Sequence, residues 1–385
     1  MTQSLSEVGT PLANKRLLFV TGTRADYGKL EPLASAAQKA RCHISFFITG
    51  MHMMKRYGET RLEVRKFLGA DFFEYVNQRE GDTQDLILSK TILGFSDFLN
   101  EHRPDLVVIH GDRIEAMGAS IVCALNYIHS AHIEGGEVSG TIDESIRHCN
   151  TKLCATHFVS SEAAKQRVLS LGEQKNRIFN IGSPELDSHM SSSGISIEEV
   201  KLHYEIPFSD YGIVIFHPVT SELGDIGGQA ESLFVSLERS KRCYVVILPN
   251  NDPGSDRILS AINKLPLERF RVIPSMRFYY FSELMKNASI MIGNSSTGVR
   301  EAPFLGLPSI DIGSRQNNRA QSTSVMSCSA YDELTLLNLI KKYWGKKSIQ
   351  DTSFGSGLAS SNFINVISSS SFWDIPMQKE FNSHE

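Results

Sequence analysis

Long apolar runs are missing from this chain: no stretch approaches the roughly eighteen consecutive apolar residues of a membrane-spanning helix. Paired cysteines are missing too. The six cysteines (Cys42, Cys123, Cys149, Cys154, Cys243 and Cys328) include no CxxC pair, which removes zinc ribbons and dithiol redox motifs and leaves buried thiols of a reducing compartment. Residues 1 to 14 are polar and lack the apolar centre of a secretory leader, so a cytoplasmic protein is expected. There is no excess of basic charge. A net charge of −4 gives no footprint for a nucleic-acid partner, although a local group of arginines can still hold a small anion. No HExxH, cysteine ligand set or EF-hand spacing occurs, so neither a protein-bound metal nor a cofactor is expected. The lack of GxSxG argues against a serine hydrolase.

What is present is a globular composition, with 41% apolar and 21% charged residues over 385 positions, a length suited to two domains. Short apolar runs each lead into a turn and a helical pattern. "RLLFVTG", "HISFFITG", "DLVVIHGD", "SAHIEGG", "THFVSS" and "RIFNIGS" are such runs in the first half; "YGIVIFHP", "CYVVILPN", "RVIPS", "ASIMIGNSS" and "PSIDIGSR" are those of the second. They lack strict alternation and are rich in Val, Ile and Phe, as parallel strands covered on both faces should be. The repeated strand–helix order predicts an α/β fold of two Rossmann-like, doubly wound domains facing a cleft. Residues 1–190 read as the first domain and 191–385 as the second, with Ser191 to Ser193 and Gly194 as the linker. The chain beyond Gly345 is serine-rich and weakly patterned; a last helix near "FINVISSSSFWDI" is expected to pack back on the first domain.

The polar clusters fall just after the strands, where loops of an open α/β sheet meet a ligand. "TGTRADYGK" has five residues between Gly22 and Gly28, and Leu30 follows its lysine, so it is not a Walker A loop. Arg24 and Lys29 enter a helix there, where backbone N–H groups and the helix dipole favour an anion; a glycine turn with solvated charges reads the same way. "HGDRIEA" sets His110, Asp112, Arg113 and Glu115 after a strand, with Asp112 readable as a helix cap or as a carboxylate beside a sugar. "HIEGGEVSGTIDESIRH" gathers His132, Glu134, Glu137, Asp143, Glu144, Arg147 and His148. Crowded carboxylates repel one another, so pKa values raised toward the range of proton transfer are expected. Gly135 and Gly136 give the backbone freedom to approach a ligand, and Asp143 and Glu144 equally suit the first turn of a helix.

In the second half His217 follows a strand, and Asn250 and Asp252 precede a Pro-Gly turn. "GNSSTGVREA" leads from strand to helix as a diphosphate site would, through Ser295 and Ser296. Val299 stands three residues after Ser296, so the simplest capping box is absent and Glu301 is expected to be free for vicinal hydroxyls. Arg315 and Arg319 add positive charge.

Together these motifs resemble the hydrolysing UDP-N-acetylglucosamine 2-epimerases of bacterial sialic acid synthesis, and the epimerase domain of the animal bifunctional epimerase/kinase. The likeness runs through "TGTRADYGK", "TGMHMM", "HGDR", "HIEGGEVSGTIDESIRH", "GSPELD", "FHPVT", "GNSSTGVREAP" and "GSRQNNR", residues 15 to 320 in broad terms. It implies the glycosyltransferase-B architecture, with UDP mostly on the second domain, and a homo-oligomer. "HIEGGE" stands where non-hydrolysing relatives carry a stretch close to His-Val-Glu-Ala-Gly, so the resemblance implies the branch that releases free N-acetylmannosamine and UDP. In that chemistry UDP leaves C1 as the C2 proton is removed, and water adds to the resulting 2-acetamidoglucal as a proton returns from the other face. By resemblance the acid/base roles fall to Asp112, Glu134 and Asp143, with Glu144 in reserve. The UDP contacts fall to Arg24, Arg113, His217, Asn250, Ser295, Ser296, Glu301 and Arg315. Gly28 stands where the animal enzyme has a serine, so that contact is not carried over. Three other readings stay open: the same chemistry on a UDP-2,4-diacetamido-trideoxyhexose of legionaminic acid synthesis, a glycosyltransferase of this architecture, and a UDP-sugar sensor. The dense carboxylates argue against the sensor.

Overall fold

In a computed structural model, which describes residues 12–139, 142–190, 194–249, 252–317 and 322–383, the apolar runs become strands of two all-parallel sheets. The first sheet contains β1 (Arg16–Thr21), β2 (His43–Ile48), β3 (Asp71–Glu74), β4 (Leu106–His110), β5 (Ser130–Ile133), β6 (Thr156–Val159) and β7 (Ile178–Asn180). Its order is β3-β2-β1-β4-β5-β6-β7. The second contains β8 (Gly212–Ile215), β9 (Tyr244–Ile247), β10 (Phe270–Ile273), β11 (Ile290–Gly293), β12 (Ser309–Ile312) and β13 (Val325–Cys328), in the order β10-β9-β8-β11-β12-β13. Both are doubly wound. In each, the direction of winding reverses beside the first strand, between β1 and β4 and between β8 and β11.

Alternation along each strand explains why the runs are continuously apolar. Leu17 and Phe19 of β1 join one core with Ile44, Phe46 and Val108, while Leu18 and Val20 join the opposite core with Phe47, Val107 and Ile109. The second sheet repeats the device: Val214, Val246 and Ile292 face one side, and Ile213, Val245 and Met291 the other. Gly293, at φ +136, closes β11 where any side chain would collide with the carbonyl of Ile215 on β8, so the two strand ends stay in close register.

The chain divides into two units, one of Met1–Glu137, Ile142–Asp187 and Gly355–Glu385, the other of Val138–Thr141 and Ser188–Phe354. The last segment thus belongs with the first sheet. Phe363, on the helix Ala359–Ile367, packs edge-on to Phe158 of β6, and Phe372 stacks on His129. Asp187 anchors that helix's start by accepting from the backbone N–H of Ala359 and Ser360 at 2.8 and 2.6 Å. The linker expected at Ser191 to Ser193 lies outside the described residues.

Candidate active site

The loops of the first unit that follow β1, β4 and β5 carry its polar clusters. Glu134 directly follows β5 with φ +65, a left-handed conformation that costs a non-glycine residue about 1–3 kcal/mol and marks a constrained position. Its carboxylate is buried, and a buried charge requires a partner. Lys29 Nζ supplies one, 2.9 and 3.1 Å from the two oxygens, and Ser183 Oγ donates at 3.3 Å. His110 Nε2 approaches to 3.3 Å. Lys29 also lies 3.7 Å from Glu185, and Ser183 is 2.7 Å from that second buried carboxylate. Glu134 and Glu185 therefore share one ammonium and one hydroxyl.

Asp112 follows β4, half-buried, and accepts a hydrogen bond from the buried guanidinium of Arg147, which also donates to the Glu137 carbonyl at 3.0 Å. The loop is pinned one residue earlier. The Gly111 carbonyl accepts from His132 Nε2 at 2.8 Å and from Asn150 Nδ2 at 3.0 Å. Complete burial drives the His132 pKa down to about 3, so this ring is a neutral strut, not an acid. Asp112 is not a helix cap; Arg113 occupies that position for the helix Ile114–Leu125. Asp143 and Glu144 begin the helix Ile142–Leu153, both partly exposed. Asp143 precedes Arg147 by one turn on the same helix face, whereas Glu144 lies 3.7 Å from His148.

Two expectations need correcting here. The carboxylates are not crowded without relief: Lys29 meets Glu134, Arg147 meets Asp112, and Ser160 donates to Glu137. Gly136, at φ +78, spends its freedom on packing, since a side chain there would strike the Ala164 carbonyl of the helix Glu162–Ser170.

The opening loop also differs from an anion cradle. The N–H groups of Gly22 and Thr23 donate to the chain's own Asp26 at 3.0 and 3.1 Å, completing a capping box with Thr23. An internal carboxylate thus takes the place at the helix start. Arg24 directs Nε and Nη2 onto Glu63 at 2.8 and 2.7 Å, a two-pronged pair with which any phosphate must compete. Arg113 extends along Met51, 3.7 Å from its sulfur.

In the second unit Asn294, unremarked in the sequence, organises the reversal point. Its side chain accepts from the His217 N–H at 2.7 Å and donates to the His217 carbonyl at 2.9 Å. Its own carbonyl accepts from Arg315 Nη1 at 3.2 Å and Gln316 Nε2 at 2.8 Å. Because Ser295 and Ser296 follow directly, His217, both serines and Arg315 gather in one place. The cap of the short helix Ser296–Val299 is Ser295, not Ser296. Glu301 is not free: Oε1 lies 2.9 Å from Nε2 of the buried His189. Asp311 of β12, paired in register with Gly293, is pushed up to about 7 by burial against the opposing pull of Arg315. Asn250 and Arg319 lie outside the described residues. Among the described residues no group of three His, Cys, Asp or Glu side chains is placed to hold a metal ion, and no helix is long and apolar enough to cross a membrane.

Glu185, His189, Asp26 and Asn294 escaped sequence reasoning. Glu185 sits inside the quoted "GSPELD", where its nearness to a turn proline reads as turn chemistry; His189 follows in "SHM" with no periodic or glycine signal around it.

The sequence profile of a family described as UDP-N-acetylglucosamine 2-epimerase matches residues 35–368. A protein of Neisseria meningitidis serogroup B with that same name is 42% identical over 372 residues, 95% of this chain and 98% of the relative. A UDP-N,N'-diacetylbacillosamine 2-epimerase (hydrolyzing) of Legionella pneumophila is 31% identical over 353 residues, 90% of this chain and 93% of the relative. In fold, the chain is similar to a Methanocaldococcus jannaschii UDP-GlcNAc 2-epimerase solved with UDP-GlcNAc and UDP (TM-score 0.76, 19% identity, 91% and 99% coverage). A Neisseria meningitidis UDP-GlcNAc 2-epimerase bound to UDP-GlcNAc gives a TM-score of 0.74 at 20% identity, with the same coverage.

Proposed function

The chain belongs to the UDP-N-acetylglucosamine 2-epimerase family, and from that premise we propose that it is a hydrolysing 2-epimerase, converting UDP-N-acetylglucosamine and water to N-acetylmannosamine and UDP as a step toward sialic acid. The observation that carries the reading is the buried Glu134 at its left-handed strand end, held by Lys29 and approached by His110. A carboxylate fixed beside two proton-bearing groups suits proton abstraction and return at a carbon acid. Asp112, oriented by Arg147, is the second such group. In the proposed sequence one of this pair removes the C2 proton as the C1–O bond to UDP breaks. Water then adds to C1 of the glucal while the other returns a proton to C2 from the opposite face. Asp143, one turn from Arg147, is the third candidate and Glu144 the reserve. The developing diphosphate charge is assigned to Arg24, Arg113, His217, Arg315 and the Ser295–Ser296 turn, with Asn250, and the ribose to Glu301. Operation in the cytoplasm as a homo-oligomer goes with this reading; the six cysteines are all unpaired.

A second reading keeps the chemistry and changes the sugar to a UDP-2,4-diacetamido-trideoxyhexose, favoured by the name of the Legionella relative. Product analysis on both UDP-sugars separates the two. The first reading expects free N-acetylmannosamine and UDP in equal amounts from UDP-N-acetylglucosamine. Formation of UDP-N-acetylmannosamine without UDP release would place the chain in the non-hydrolysing branch, and turnover of the diacetamido sugar alone would establish the second. Glu134→Gln should bind UDP nearly as well as the parent while turnover falls about 10²–10⁴-fold.

A further inference from the structure

His189 is buried in the short helix Glu185–Met190, where the chain enters the second unit. Both ring nitrogens are engaged. Nε2 lies 2.9 Å from Glu301 Oε1, and Nδ1 lies 2.7 Å from Ser282 Oγ, on the helix Phe278–Lys286. An ionised carboxylate only accepts, so Nε2–H donates to Glu301. The order hydroxyl, imidazole, carboxylate is that of a hydrolase triad, yet Ser282 is 2% exposed and its hydroxyl is closed to any substrate. The chain of hydrogen bonds therefore works in the other direction: it ends on the carboxylate.

We propose that His189 is a positioning residue for nucleotide recognition, fixing the Glu301 carboxylate so that it meets the vicinal hydroxyls of the ribose. The inference rests on the assignment of Glu301 to the ribose made above. Glutamate has three rotatable side-chain bonds, and a carboxylate already held in place loses little rotamer freedom when a ligand arrives. Ser282, by engaging the far nitrogen, sets the ring plane and hence the direction of the Nε2–H bond. A carboxylate accepts several hydrogen bonds, so the one from His189 orients it without exhausting it.

The test is calorimetric binding of UDP and of 2′,3′-dideoxy-UDP to the full chain and its variants. The parent should prefer UDP by roughly tenfold or more, the loss expected when a polar site meets a ligand lacking its hydroxyls. Glu301→Ala should abolish that preference. His189→Asn, polar but too short to reach Glu301, should reduce it to within about twofold, weakening UDP while leaving the dideoxy ligand unchanged. His189→Gln, whose amide nitrogen falls near the position of Nε2, should restore much of it. Equal weakening of both ligands in His189→Asn would mean a purely structural role and overturn the proposal, as would an undiminished preference. If Glu301→Ala keeps the preference, the ribose assignment itself is wrong; if only His189→Asn keeps it, that assignment stands and the positioning role falls. Should neither histidine variant fold, Ser282→Ala carries the test: a reduced preference supports the proposal and an unchanged one overturns it.

Discussion

At the scale of single residues, Glu134 meets Lys29 at 2.9 Å and Asp112 meets Arg147, pairings that join distant parts of the chain. The strand-end positions of Glu134, Asp112 and His217 follow from the apolar runs before them. That Lys29 belongs to Glu134, or that Glu185 shares it, depends on contacts across 105 and 156 positions of chain, which no local pattern encodes. His132 shows the same limit from the other side: it stands in the acid-rich motif, and complete burial makes it a strut. That burial has a measurable consequence. The folded-state pKa is about 3 against about 6.5 for an ordinary histidine, so as pH falls below 6.5 the unfolded chain gains a proton that the folded chain refuses. The associated stability is fully present above pH 6.5 and is lost progressively toward pH 3, amounting to ~2 kcal/mol by pH 5. Urea denaturation at pH 7 and pH 5 should therefore show a larger loss in the parent than in His132→Gln. Equal losses would show that the ring is not buried neutral.

At the scale of elements, the central strands were evident and so were two of the four edge strands, β7 and β10. The other two edges, β3 and β13, were absent from the sequence reading because "DFFE" and "VMSC" are half-covered and never form a continuous apolar run. In the serine-rich C-terminal segment a few large residues, Phe363, Ile367 and Phe372, dock on the first core, as expected of the helix near "FINVISSSSFWDI". Lys379 ties this segment to the helix that carries Asp143 and Arg147. Its ammonium donates to the carbonyls of Thr151, Lys152 and Cys154 at 2.8, 3.0 and 2.9 Å, satisfying the helix end, and pairs with Glu173 at 2.6 Å. Glu173 is largely buried and its pKa is held at about 2; burial opposes this, but His157, Lys379 and Lys152 outweigh it. Removing the ammonium by Lys379→Ala takes one of three partners from that carboxylate, leaving His157 and Lys152, and unpairs the helix-end carbonyls; it should cost about 1–3 kcal/mol in urea denaturation. A change below about 1 kcal/mol, the level of an exposed pair, would show that the contact contributes little.

At the scale of the whole molecule, two sheets of the same winding each place their polar loops where the strand order reverses, and this placement follows from βαβ topology more than from any single motif. The first unit offers carboxylates held by cations; the second offers a histidine, two serines and an arginine gathered around Asn294. In the proposed reading proton chemistry falls to the first, and the nucleotide to the second together with Arg24 and Arg113 of the first. In that reading the C2–H bond of the sugar is broken and remade with solvent protons as UDP departs. The most direct measurement is proton NMR of the product formed from UDP-N-acetylglucosamine in heavy water. The expected product is free N-acetylmannosamine carrying one deuterium at C2, formed about 10²–10⁴-fold more slowly by Glu134→Gln; a released sugar that keeps its original C2 proton rules this mechanism out.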